Sequence, residues 1–170
     1  MTQTPDAKAV LTAYVAAVEA GDGDAIRASF APHATWTLAG ELPISGTWVG
    51  REAIIEEFLP AAMSHYEPGS VRLEITGMIA EGDSVALQWT SRARTLDGDP
   101  YENHCIGVFT VREGKIRSVH EYMDTHYAYR ALSGQLAGSG SQQITGSDAF
   151  SLFASLLTAG GMSNHVGLLP

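Results

Sequence analysis

The sequence predicts an α+β domain, and two observations carry the prediction. Apolar residues recur at helical spacing through the first third of the chain. From Val71 onward the spacing changes to two, and glycine-bearing turns separate the alternating runs. Helices first and an antiparallel meander afterwards lay the helices on one face of a curved sheet, around a cone-shaped cavity.

The first helix begins at Thr4-Pro5, a side-chain cap followed by proline at the first helical position. Val10, Leu11, Tyr14, Val15 and Val18 form its apolar stripe, and it stops near Gly21. Asp22 or Asp24 caps a short second helix through Ile26 and Phe30, which Pro32 ends. Ala34 to Leu38 alternates as a strand. After a loop with Pro43, Gly46 and Gly50, a third helix runs from about Arg51 through Phe58, disturbed by Pro60. Four strands follow: Val71 to Ala80, Val85 to Thr95, Tyr101 to Val111 and Ile116 to Asp124. Glu81-Gly82-Asp83, Asp97-Gly98-Asp99 and Glu113-Gly114 are the turns between them. Residues 133–146 read as a Gly/Ser-rich linker. A short apolar helix, Asp148 to Thr158, follows, capped by Ser147, with Phe150, Phe153, Leu156 and Leu157 on one side. The chain thus divides into a domain over residues 1–132 and a linker with a terminal helix over 133–170.

Composition narrows the function. Of the 170 residues, 45% are hydrophobic and 17% charged, as in a folded globular chain. The net charge is −9, and the ten basic residues form no cluster. Neither nucleic acid nor an anionic membrane is an expected partner. A single cysteine, Cys105, allows no intramolecular disulfide. No apolar run reaches the roughly 18 residues of a membrane span. The N-terminus lacks a basic and then apolar leader, so the expected location is the cytoplasm.

The most informative stretch runs from Gly107 to Asp124. It reads as two strands joined at Glu113-Gly114, with His120, Tyr122 and Asp124 on one face of the second. A base, a phenol and a carboxylate at that spacing suit proton transfer.

The segments AYVAAVEAGDGDAIRASFAPHATW, GTWVGREAI and VFTVREGKIRSVHEYMDT, in this order, resemble the SnoaL-like branch of the nuclear-transport-factor-2-like superfamily. The resemblance covers about residues 5–132. It implies the cone fold and a place among ketosteroid isomerases, polyketide cyclases and limonene-epoxide hydrolases. Tyr14 matches the isomerases' oxyanion-hole tyrosine. Their two carboxyls would fall at Leu38 and Gly107, so that mechanism is not expected. Arg92 and Asp124 match the arginine and final-strand aspartate of the epoxide hydrolases, whose second aspartate would fall at Arg94. The cyclases' closing-strand carboxylate also matches Asp124.

On this reading Thr90, Arg92 and Arg94 face the cavity, and Arg92 pairs with Asp124 and holds it ionised. Asp124 is the acid/base, His120 a second proton carrier, and Tyr14 a buried donor. Asn103 anchors a carbonyl or a water, and Cys105 and Tyr122 share the pocket wall. Trp36, Leu38, Trp48 and Phe58 supply an apolar lining, which suits a hydrophobic small molecule. The histidines show no i,i+4 pair within a helix, and no phosphate loop or dinucleotide fingerprint occurs, so neither metal nor cofactor is expected. The expected activity is acid/base chemistry of cyclase, isomerase or dehydratase type. Epoxide opening and ligand binding or dimerisation without turnover are the alternatives. Val85, Leu87 and Trp89 form an apolar stripe read as pointing outward, which predicts a homodimer through the sheet. The terminal helix would dock on the cavity mouth or on the partner subunit.

Overall fold

The structure, a computed structural model, describes residues 6–136. The Thr4-Pro5 start and the terminal helix around Phe150 and Phe153 lie outside the described residues.

Helix α1, Ala7–Ala20, ends at Gly21, whose φ of 68° turns the chain left-handed and satisfies the last carbonyls. Helix α2, Gly23–Ser29, is capped by Asp22, whose Oδ1 accepts from the Ala25 amide at 2.9 Å. Phe30 was expected inside that helix. It opens strand β1 instead, Phe30–Leu38, because Pro32 disfavours helical geometry at the residue before it. Strand β2 is Gly46–Val49. A helical run follows: α3 (Arg51–Ala53), a π-helical stretch (Ile54–Phe58) and α4 (Leu59–Met63). The widened turn ends just before Pro60, which has no amide hydrogen for the residue four back.

The remaining strands are β3 (Arg72–Glu81), β4 (Ser84–Arg94), β5 (Pro100–Arg112) and β6 (Lys115–Met123). They form one open, curved sheet in the order β2-β1-β6-β5-β4-β3. All neighbours are antiparallel except β1 and β6, so β1 brings the N-terminal helices beside the closing strand. Glu113 and Gly114 both take positive φ, 53° and 70°, as a two-residue hairpin turn requires. Helix α5, Thr125–Leu136, was not expected. It extends over the first four residues of the segment read as linker.

The buried apolar residues form two clusters. One surrounds Leu11, Phe30, Trp36, Phe58 and Phe109 under α1. The other joins Ala93 and Tyr101 to Ala128 and Leu132 of α5. Leu42 and Met123 pack against both. Val85 and Leu87 are buried in the first cluster, and Trp89 packs against it. The stripe expected on the outer sheet face is therefore interior. The apolar parity of β4 faces the helices, and Arg92 faces away. Among the described residues no helix is long and apolar enough to cross a membrane.

Candidate functional site

Between the helices and the concave sheet lies a cavity of about 660 Å³. Its central feature is a row of register partners on four strands. Leu38 pairs with Glu121, Glu121 with Gly107, and Gly107 with Leu87. Cross-strand partners share a sheet face, so the four point inward together. Leu38 and Gly107 are the two positions where the isomerase resemblance expects carboxyls. Glu121 stands between them and supplies one. A side chain at Gly107 would displace Phe109: a Cβ there would sit 2.7 Å from Phe109 Cε2 and 3.2 Å from Trp89 Cζ3.

Glu121 is 7% exposed and lines the cavity. Its Oε2 accepts a hydrogen bond from Trp36 Nε1 at 2.9 Å. Burial raises its carboxyl from 4.5 to about 7, against the downward pull of the Trp36 bond. Tyr14 reaches the same end of the cavity from the apolar stripe of α1, its ring edge-on to Phe30 at 5.5 Å. Burial, and then the charge of Glu121, push its phenol upward, so it stays a proton donor.

Trp36, Leu38 and Phe58 line the cavity. Trp48 stands behind them: its ring lies 5.7 Å from Phe58, and its Nε1 donates to the Ile44 carbonyl at 3.1 Å. Cys105 lines the cavity, but burial and then Glu121 push its thiol up to about 12, which rules out a resting thiolate. Asn103 is 2% exposed and lies outside the lining. Its Oδ1 accepts from the Asp124 amide at 3.2 Å, and its Nδ2 donates to the Asp124 carbonyl at 3.0 Å. It ties the end of β6 to β5.

The residues expected to carry the chemistry lie on the opposite face. His120, Tyr122 and Asp124 are exposed, Tyr122 at 50%. Asp124 caps α5, its Oδ1 accepting from the Tyr127 amide at 2.8 Å. Arg92 does not meet it. Arg92 Nε donates to Glu102 Oε2 at 2.7 Å, and its NH1 bonds Glu74. All three residues of that group lie on the outer sheet surface. The inward face of β6 lies one residue out of phase with the expected one, with Glu121 buried and His120 and Tyr122 exposed. The sequence held a signal for the right phase: Val119 and Met123 are apolar at spacing two on either side of Glu121, which marks an acidic residue on the buried face. Tyr66 and Tyr101, which also line the cavity, were missed. Tyr66 belongs to a segment with no clear period. Among the described residues no group of His, Cys, Asp and Glu is placed to hold a metal ion.

The family model for the SnoaL-like domain matches residues 11–119. Solved structures of nuclear-transport-factor-2-like proteins have the same fold. One from Burkholderia xenovorans is 24% identical with a TM-score of 0.62, over 78% of this chain and 99% of that one. TerC, co-crystallised with polyporic acid, is 23% identical with a TM-score of 0.67, over 75% of this chain and 98% of its own. A protein of ketosteroid-isomerase-like fold from Catenulispora acidiphila, in complex with trimethylamine, is 21% identical. Its TM-score is 0.61, over 77% of this chain and 95% of that one. A search of curated proteins found no match.

Proposed function

The chain belongs to the SnoaL-like domain family, and from that premise we propose that it is an acid/base enzyme acting on a hydrophobic, oxygen-bearing small molecule. Glu121 is the proton carrier. The observation that carries this reading is a carboxyl buried in an apolar cavity and bonded to Trp36, a burial that raises its pKa to about 7. Such a group changes its charge near neutral pH, so it can take a proton and return it. Trp36 holds one oxygen and orients the other. Tyr14 keeps its proton and can donate to an oxygen that gains negative charge as Glu121 removes a proton from the adjacent carbon. Return of that proton to another carbon of the same molecule is an isomerisation; its delivery to a departing hydroxyl, which leaves as water, is a dehydration; its delivery to the alkoxide formed when the carbanion bonds to a carbonyl carbon of the same molecule is a cyclisation.

Epoxide opening was expected to use a water held between Asp124 and Asn103; Asp124 is exposed and Asn103 lies outside the cavity lining, which speaks against it. Binding without turnover is the second reading, favoured by the apolar lining. Polyporic acid in TerC and trimethylamine in the Catenulispora protein support a cavity that takes small molecules.

Deuterium exchange separates the two readings. A panel of bicyclic and tricyclic ketones is incubated in D₂O and followed by NMR. The acid/base reading expects exchange beside the carbonyl in wild type and its loss in Glu121→Gln. Binding without exchange, or equal exchange in both proteins, leaves the binding module. A homodimer would now have to use other outer-face residues, such as Val108 and Tyr122, which are 39% and 50% exposed. A single monomeric species in sedimentation at micromolar concentration would reject it.

A further inference from the structure

The cavity has a second polar end, and we propose that the Tyr101 phenol there donates a hydrogen bond to a carbonyl or ether oxygen at the far end of the ligand. The proposal rests on the acid/base reading only for which molecule enters; the binding itself needs no turnover.

The direction of the Tyr101 hydrogen bond follows from the backbone. Asp124 presents an amide hydrogen and a carbonyl to Asn103, so Oδ1 must face the former and Nδ2 the latter. That fixes the amide of Asn103 without a choice of flip. The same Nδ2 lies 2.9 Å from the Tyr101 hydroxyl, and Nδ2 can only donate. Tyr101 is therefore an acceptor toward Asn103, and its own proton turns elsewhere. The Tyr66 ring lies 5.0 Å from the Tyr101 ring. A hydroxyl that accepts from a neighbour is polarised toward donating. Burial outweighs the Asn103 bond and keeps Tyr101 protonated. Tyr66 and Tyr101 both line the cavity, so an acceptor oxygen there meets a donor already oriented.

The two ends are well separated. Tyr101 lies six residues along β5 from Gly107, the register partner of Glu121. Six residues span roughly 20 Å of strand, somewhat less across a curved cavity. One end belongs to the first apolar cluster and the other to the second, with Leu42 and Met123 between them. The ligand class that fits is an elongated, rigid, mostly apolar skeleton, reacting at one end and carrying an acceptor oxygen at the other.

The test compares two probes of the same shape, 4-acetylbiphenyl and 4-isopropylbiphenyl. Affinity is read from tryptophan fluorescence, since Trp36 and Trp89 line the cavity. Wild type should prefer the ketone about five- to tenfold, the worth of one hydrogen bond. Tyr101→Phe should bring the preference within about twofold of unity and leave the affinity for 4-isopropylbiphenyl unchanged, which also shows that the variant folds. Two results would overturn the proposal: no ketone preference in wild type, or a preference that survives Tyr101→Phe. Failure of the deuterium-exchange experiment alone would leave this assignment standing and remove only the proton transfer.

Discussion

The two faces of strand β6 carry similar chemistry and differ in consequence. The outer face presents His120, Tyr122 and, just past the strand, Asp124, all exposed. The inner face presents one ionisable group, Glu121, between Val119 and Met123. By residue type the outer face looks more like an active site. Environment reverses the ranking. Water solvates the outer groups, whereas the cavity wall raises the Glu121 carboxyl to about 7. A titratable side chain acquires reactivity from desolvation and neighbours, and those belong to the side of the sheet on which it sits.

Substitutions on the two faces should part sharply. Glu121→Gln should lower deuterium exchange by at least about 10²-fold, the usual contribution of a positioned acid or base. His120→Ala, Tyr122→Phe and Asp124→Asn should each leave it within about twofold. A large loss from His120→Ala would break the comparison outright.

The next effect is on stability against pH. The folded Glu121 carboxyl binds its proton more tightly than the unfolded one, whose ordinary value is 4.5. Its stabilising contribution is therefore full below that value and falls as pH rises to about 7, then levels off. The loss across that window is on the order of 3 kcal/mol. Urea denaturation between pH 4 and 8 should show this slope in wild type, and Glu121→Gln should remove its part. A slope unchanged by the substitution would place the carboxyl in a wetter site than the structure gives it.

On the outer side, Asp124 has a structural task. Asp124→Ala should cost about 1 kcal/mol in urea denaturation through loss of the α5 cap, and Asp124→Asn, which can still cap, much less. Equal losses in the two variants would point to a role for the charge itself. The smallest expected effect is that of Arg92→Ala. Arg92 sits in exposed ion pairs with Glu74 and Glu102, so melting should scarcely move and the small change should shrink with added salt. A large loss would restore the buried pair that the arginine was first expected to make.

Much of the fold was legible because it follows local rules. Gly21 and Asp22 mark a helix end and the next cap by their own backbone and side-chain chemistry. The Glu113-Gly114 turn announces its hairpin because few residues accept two positive φ angles. The structure departs from the sequence expectation where a local signal meets a competing one. Phe30 fits a helix by spacing, yet Pro32 makes the chain extended there. Asp124 reads as the last residue of an alternating strand, and the same aspartate caps an unforeseen helix. The inward phase of β4 was written in Val85, Leu87 and Trp89, and that of β6 in Val119 and Met123. On β4 the resemblance favours the arginine face, and on β6 the residue types of His120, Tyr122 and Asp124 favour theirs; both lie one position out of that phase.

Tyr14, Trp36, Leu38 and Phe58 could be placed on the cavity wall from spacing alone, because each sits on the apolar side of its own element. Glu121, Tyr66 and Tyr101 could not be given their roles in that way. Their roles depend on partners distant in sequence: Trp36 for Glu121, and Asn103, itself held by Asp124, for Tyr101. Periodicity and turn chemistry act within a few residues, so the chain alone settles which elements form and which sides are apolar. Desolvation and hydrogen-bond direction act through space. Which carboxyl is buried without a cation, and which phenol must give its proton away, were decided only when the sheet closed against the helices.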